Sequence, residues 1–224
     1  MVNLLLVRHG QSTANASNTY TGWTDVDLTP KGIEQAKKAG YKLGQIADVR
    51  LKKVHTSVLK RAIKTANIIL EEQHLLYLPM LKSWRLNERH YGGLGGLNKD
   101  ETRRLYGVET VQKWRRSFEA IPPKSDNKHF DYRYNLVPKQ SLPASESLKM
   151  ASERIIPYYE EQVAQELLAG NDQLIVAHGS TIRALIKYLE AISDQNIDGV
   201  EVKNSEIIQY QLDNQLAILQ KNRY

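Results

Sequence analysis

Cysteine is absent from the 224 residues, so disulfides, thiol nucleophiles and cysteine-bound metals are excluded. That absence fits a reducing cytoplasm, the compartment expected here. Long apolar runs are missing too. None approaches the roughly 18 to 20 residues of a membrane-spanning helix, so no membrane partner is expected. Residues 1–7 lack a basic start and are too short for a signal peptide. His55, His74, His90 and His129 have neither metal-ligand spacing nor carboxylate clusters around them, and no metal is assigned. Neither a G-x-x-x-x-G-K-[ST] loop nor a G-x-G-x-x-G loop occurs, which leaves a nucleotide cofactor without support. Repeats and low-complexity tracts are also missing.

What is present is ordinary for a soluble globular chain: 41% hydrophobic and 25% charged residues. The length suits one large domain over 1–224 with a substantial core. The net charge is +6. A basic stripe or a known module would point to nucleic acid. Neither is found, and no nucleic-acid partner is expected. Several basic residues sit instead beside strand ends or glycines, which favours a compact pocket for a small polyanion.

Periodicity predicts strands over 3–7, 53–56, 75–78 and 174–177, with a closing antiparallel pair over 207–212 and 216–220. Helices are predicted between them. One opens at Thr29-Pro30 and runs to about Gly44. A second is capped by Ser57 and buries Ala62, Ala66, Ile69 and Leu70. A third opens at Ser145, with Leu148, Ile155, Tyr159, Val163 and Leu167 on one side. Pro157 should kink it or mark the meeting of two helices. A fourth covers about 180–190. Alternation of strands and helices implies an α/β fold in three layers, a mostly parallel sheet with helices on both faces. Residues 83–143 carry little clean periodicity and read as an insertion that covers the site. Within it 126–143 should be an ordered loop, since Tyr132, Tyr134 and Leu136 need somewhere to pack.

Five constellations carry chemistry. The apolar run Leu4-Leu5-Leu6-Val7 ends at Arg8-His9-Gly10. Histidine can be a covalent nucleophile, arginine offers a fork suited to phosphate, and glycine would let a bulky anion approach the backbone. A second apolar run ends in His178-Gly179-Ser180. If the two strands are neighbours, both histidines meet above one sheet edge. Arg61 falls in the first turn of a helix, where free amides favour an anion. In Asn87-Glu88-Arg89-His90-Tyr91, Glu88 is the candidate general acid and base, its pKa raised when phosphate is near. Trp114-Arg115-Arg116, with Lys99 upstream, could clamp a second anionic group. Taken singly, each is also compatible with a surface arginine, a surface ion pair or a loop histidine.

In this order the five pieces resemble the histidine phosphatase superfamily, and more narrowly its cofactor-dependent phosphoglycerate mutase branch. The narrower marks are Thr21-Gly22-Trp23-Thr24-Asp25-Val26-Asp27-Leu28, Thr56-Ser57-Val58-Leu59-Lys60-Arg61-Ala62, Leu86-Asn87-Glu88-Arg89-His90-Tyr91-Gly92, Gly96-Leu97-Asn98-Lys99 and Trp114-Arg115-Arg116. The resemblance implies a phosphoglycerate mutase-like fold and interconversion of 3-phosphoglycerate and 2-phosphoglycerate. His9 would be phosphorylated, and Arg8, Arg61 and His178 would surround the transferring group with help from Asn15. Glu88 would exchange the proton. Thr21, Gly22, Tyr91, Lys99, Arg115 and Arg116 would hold the glycerate carboxylate and the second phosphate, with Gly179 and Ser180 lining the pocket. The implied cofactor is 2,3-bisphosphoglycerate, both primer and intermediate, without a metal. The implied assembly is a homodimer or a homotetramer. The alternative on the same scaffold is a histidine-type phosphatase acting on a small phosphate ester.

The chain departs from the branch pattern in four places. Gly95 stands where glutamine is usual, and Ser180 where asparagine is usual. A proline-rich turn is replaced by Val200-Glu201-Val202-Lys203-Asn204-Ser205-Glu206, and the sequence stops at Tyr224, soon after its last strand. Each change is expected to remove a polar contact or a covering element near the substrate and to raise hydrolysis relative to mutase turnover.

Overall fold

The computed structural model describes residues 1–126 and 131–224. His129, and part of the loop expected over 126–143, lie outside the described residues. In chain order the elements are β1 (Val2–Arg8), α1 (Thr13–Ala16), α2 (Pro30–Leu43), β2 (Leu51–Thr56), α3 (Lys60–Glu72) and β3 (Met80–Lys82). Then come α4 (Lys99–Tyr106), α5 (Val108–Arg116), α6 (Leu148–Tyr158), α7 (Gln165–Leu168), β4 (Asp172–Ala177), α8 (Gly179–Leu189), β5 (Ile207–Leu212) and β6 (Ile218–Arg223). No helix among the described residues is long and apolar enough to cross a membrane.

The sheet runs β3-β2-β4-β1-β5-β6. β1, β2, β3 and β4 pair in parallel, while β5 and β6 are antiparallel. β1 is apolar throughout because both of its faces are covered. Leu4 and Leu6 point into one core with α6 and α8 residues such as Ile155, Ile182 and Leu185. Leu5 and Val7 point into the other with Ala39, Leu43, Ala66 and Ile69 from α2 and α3. Leu4, Leu5 and Leu6 have no exposed surface, and each such burial contributes roughly 1.5–3 kcal/mol. The expected three layers are present.

Local departures from expectation have local causes. The third strand is Met80–Lys82, not 75–78. Residues 75–78 form a turn, closed by Leu78 N–H to the Leu75 carbonyl at 3.0 Å, with Leu76 and Tyr77 exposed. Ser57 does not cap α3. The helix starts two residues later, and the Asp25 carboxylate accepts from the Lys60 N–H at 2.7 Å, a cap supplied from a distant segment. Ser145 donates to the Pro122 carbonyl at 2.8 Å, and Ser147 caps α6 instead. α6 runs through Pro157 and then widens into a π turn over Tyr159–Ala164 before α7. Pro157, which lacks an N–H, lies two residues before that π turn and does not end α6. The last strand is shifted to Ile218–Arg223 because a turn around Asp213 extends to Ala217. Tyr134 packs, but Tyr132 and Leu136 stay exposed. The segment over 83–143 also contains α4 and α5.

His55 on β2 gives the fold a pH dependence. It is fully buried, with Nε2 donating to Gln173 Oε1 at 3.0 Å and Tyr158 Oη donating to Nδ1 at 2.9 Å. That pairing needs the neutral ring. Burial lowers its pKa from 6.5 to about 4, against a weaker opposing effect of the Gln173 bond. As pH falls below 6.5 the unfolded chain takes up this proton before the folded one does. Stability should therefore decline between pH 6.5 and 4, by up to about 3 kcal/mol from this residue, and level off below. Urea unfolding of wild type and His55→Gln across that range checks it. The variant should show the shallower slope.

Candidate active site

The site grows from two parallel strand ends. β1 and β4 are neighbours with Arg8 opposite Ala177, and the His9 N–H donates to the Ala177 carbonyl at 3.0 Å. His9 and His178 follow these ends directly, and their ring centroids lie 5.0 Å apart at 62°. His9 Nδ1 lies 2.7 Å from the Gly10 carbonyl, which can only accept. The proton is therefore on Nδ1 and the lone pair on Nε2. Burial, then Arg61 and Arg8, hold the His9 pKa well below 6.5, so the ring is neutral. His178 is buried, with Nε2 2.7 Å from Ser57 Oγ. Burial, Arg61 and His9 likewise hold its pKa well below 6.5.

Two arginines flank the histidines. Arg61, on the first turn of α3, is buried, and its Nη1 and Nη2 donate to the carbonyls of Thr24 and Gly22, each at 2.9 Å. Arg8 Nη1 donates to the Val202 carbonyl at 2.7 Å. Arg8 Nε and His178 Nδ1 are buried and bond to no group among the described residues. A phosphate oxygen is the chemical complement of the Arg8 N–H.

Glu88 reaches the same place from the loop after β3. Its Oε1 accepts from the Arg89 N–H at 2.8 Å and the Ser180 N–H at 3.1 Å. Those two bonds hold Oε1 as an acceptor, and Oε2 lies on the Gly179 side. Gly179 lies against Arg8 and Glu88: a β-carbon there would be 3.6 Å from Arg8 Nε and 3.8 Å from Glu88 Oε2. Gly10 plays a different part from the one expected. A β-carbon there would lie 2.2 Å from the Gly32 carbonyl, so its missing side chain admits α2, not an anion.

A second cationic wall lies in the same cleft, made by Tyr91, Lys99, Arg115 and Arg116. Arg115 and Arg116 end α5. Buried Arg89 and Arg183 hold that end by donating to its carbonyls, Arg89 Nη2 to Arg115 at 3.1 Å and Arg183 Nη2 to Arg116 at 2.8 Å. Cations at a helix C-terminus are favourable, and here they also anchor two arginines. Burial lowers the Lys99 pKa, with Arg115 adding to it. Burial raises the Tyr91 phenol, but Arg89 and hydrogen bonds from Ser180 and Arg89 outweigh it and leave the pKa below 10.

These groups share a cleft of about 660 Å³. Every expected site residue lines it except His178, which is fully buried with its ring centroid 5.0 Å from that of His9. Asn15 and Thr21 stand on its rim beside Tyr20 and Gly22. Expectation missed Gln11, Thr19, Tyr20, Lys31, Gln35 and Arg183, and took the wall from 200 to 204 for a place where a covering element is lost. That wall follows from pairing: β5 runs antiparallel to β1, so the residues before β5 return to the Arg8 end, where the Ser205 N–H donates to the Arg8 carbonyl at 2.8 Å. Segment 200–206 is therefore not a lost covering element. Asn204 Nδ2 donates to the His9 carbonyl at 2.8 Å, and Glu201 pairs with Arg116 at 2.8 Å. Ser180 keeps a polar contact through Tyr91. Gly95 lines a neighbouring hollow instead of the cleft. Among the described residues no group of three or more His, Asp or Glu is placed to hold a metal ion.

The family profile of the histidine phosphatase superfamily, branch 1, matches residues 4–222. The chain belongs to the histidine phosphatase superfamily. Within that superfamily it is 56% identical over 223 residues to 2,3-bisphosphoglycerate-dependent phosphoglycerate mutase 1 of Latilactobacillus sakei, covering 100% of this chain and 94% of that protein. It is 51% identical over 221 residues to 2,3-bisphosphoglycerate-dependent phosphoglycerate mutase 2 of Lactobacillus johnsonii, covering 99% and 96%. Among solved structures, Bacillus stearothermophilus YhfR matches with a TM-score of 0.73 over 98% of this chain and 96% of that one. At 22% identity this superfamily likeness carries the fold alone.

Proposed function

We propose that this chain interconverts 3-phosphoglycerate and 2-phosphoglycerate through a phosphohistidine on His9. The observation that supports this best is the presence, in one cleft, of the neutral His9 between Arg8 and Arg61 and a second wall of Lys99, Arg115 and Arg116. Hydrolysis of a phosphate ester needs only the first group. A substrate with two anionic ends needs both. The names of the full-length relatives point the same way.

The donor set fits 2,3-bisphosphoglycerate, since Arg8 Nε is an unsatisfied donor at one end and cations line the other. When bound, that compound supplies the phosphoryl group that primes His9. Everything else falls to side chains. His9 Nε2 attacks phosphorus in line, while Arg8 and Arg61 neutralise the charge spread over the equatorial oxygens. Glu88 Oε2 gives its proton to the departing oxygen and recovers one from the hydroxyl phosphorylated in return. Lys99, Arg115 and Arg116 keep the carboxylate and second phosphate in place while the reacting ends exchange. In this reading the whole chain works as one cytoplasmic domain, residues 83–143 cover the site, and the assembly is a homodimer or a homotetramer.

One assay tests the proposal: conversion of 3-phosphoglycerate with and without 2,3-bisphosphoglycerate, with released phosphate measured in parallel. Turnover to 2-phosphoglycerate that requires the bisphosphate, with phosphate release a minor product, is expected. Phosphate as the main product would move the chain to the phosphatases of its superfamily.

A further inference from the structure

Arg154 on α6 lies outside the cleft and is buried, as is Glu146. The two form a bidentate pair, Arg154 Nε to Glu146 Oε1 at 2.7 Å and Nη2 to Oε2 at 2.8 Å. The other donors of Arg154 all go to the main chain of one segment. Nη1 donates to the carbonyls of Arg85 at 2.7 Å and Asn87 at 3.1 Å, and Nη2 to that of Glu88 at 3.1 Å. Glu146 Oε2 accepts from the His90 N–H at 2.7 Å, and the Glu146 N–H donates back to the His90 carbonyl at 2.8 Å. The Glu88 carbonyl also receives Trp23 Nε1 at 2.6 Å. One buried ion pair thus fixes the backbone on both sides of Glu88.

Stability alone is a weak reason for such a pair, because apolar residues of similar volume often serve as well. The fork is what cannot be replaced: a lysine has the charge but not the geometry. We infer that Arg154 and Glu146 are positioning residues that hold the Glu88 carboxyl where it delivers its proton. The inference rests on Glu88 being the general acid. A misplacement of about 1 Å would cost on the order of 100-fold in rate.

The chemistry offers a readout that a merely structural role would not move. As His9 Nε2 forms its bond to phosphorus, the ester P–O bond breaks and its electron pair goes to oxygen. An alkoxide leaving group needs the proton from Glu88 Oε2. A 4-nitrophenolate does not. Phosphorylation of His9 is therefore measured with two donors, 2,3-bisphosphoglycerate and 4-nitrophenyl phosphate, in wild type, Arg154→Lys, Glu146→Gln and Glu88→Gln. Arg154→Lys and Glu146→Gln should slow transfer from the bisphosphate by about 10- to 100-fold and leave transfer from the aryl ester within about 3-fold of wild type, as expected when only proton delivery is impaired. Glu146→Gln is isosteric and carries the same expectation if Arg154→Lys does not fold. Equal losses with both donors, or no loss with either, overturn the inference. Glu88→Gln separates the two readings. If it also ignores the leaving group, the role of Glu88 fails. If it alone shows the pattern, only the positioning role fails.

Discussion

His9→Ala is expected to abolish phosphoryl transfer, with a loss on the order of 10⁴-fold or more and no labelled protein after exposure to 2,3-bisphosphoglycerate carrying radioactive phosphate. The size follows from what the ring does. Its neutral state is set by burial and by two arginines, and its free Nε2 is set by the Nδ1 bond to Gly10. Among the described residues no other imidazole lines the cleft. His178 is 5.0 Å away between centroids, but it is fully buried and does not line the cleft. Acid-labile, base-stable label on wild type and none on the variant is the expected result. Label on His9→Ala would sink the assignment.

Glu88→Gln should lower mutase turnover by about 10²- to 10⁴-fold, the usual worth of a positioned proton donor. Its Oε1 can still accept from the N–H groups of Arg89 and Ser180, so the variant should keep the local fold. What it loses is the ionisable oxygen beside Gly179. The KM should change little, because in the proposed mechanism the cations of both walls grip the substrate. Steady-state kinetics in both directions check this, and near-normal kcat would remove Glu88 from the role. Among the described residues the only other carboxylate on the cleft wall, Glu201, pairs with Arg116 and cannot substitute.

The central strands were legible in the sequence because a run buried on both faces has no other use in a chain of this composition. Their chemical ends were legible for the same reason: polarity changes abruptly at Arg8 and at His178. Features set by distant partners were not. Ser57 has the look of a cap, yet Asp25, 35 residues away, supplies that bond to Lys60. The wall from 200 to 204 lacks a motif, and only the antiparallel return of β5 brings it to the site. Gly10 reads equally well as space for an anion or for backbone, and Gly32 decides the matter. Arg154 and Glu146 are unremarkable in sequence, because their work is done through main-chain carbonyls that no side-chain pattern encodes.

The strand order has a bearing on how this protein must be made. β1 is the first strand to leave the ribosome, yet both of its neighbours, β4 and β5, are encoded after residue 171. Pairings of such long sequence separation form slowly. For most of synthesis the nascent chain therefore carries an unsatisfied, strongly apolar strand, the kind of segment that seeks strand partners on other chains. Translation speed and chaperone access should matter more to its yield than its final stability does. His9 also cannot be held in place until β4 and β5 exist, so products that stop before residue 172 lack the assembled site.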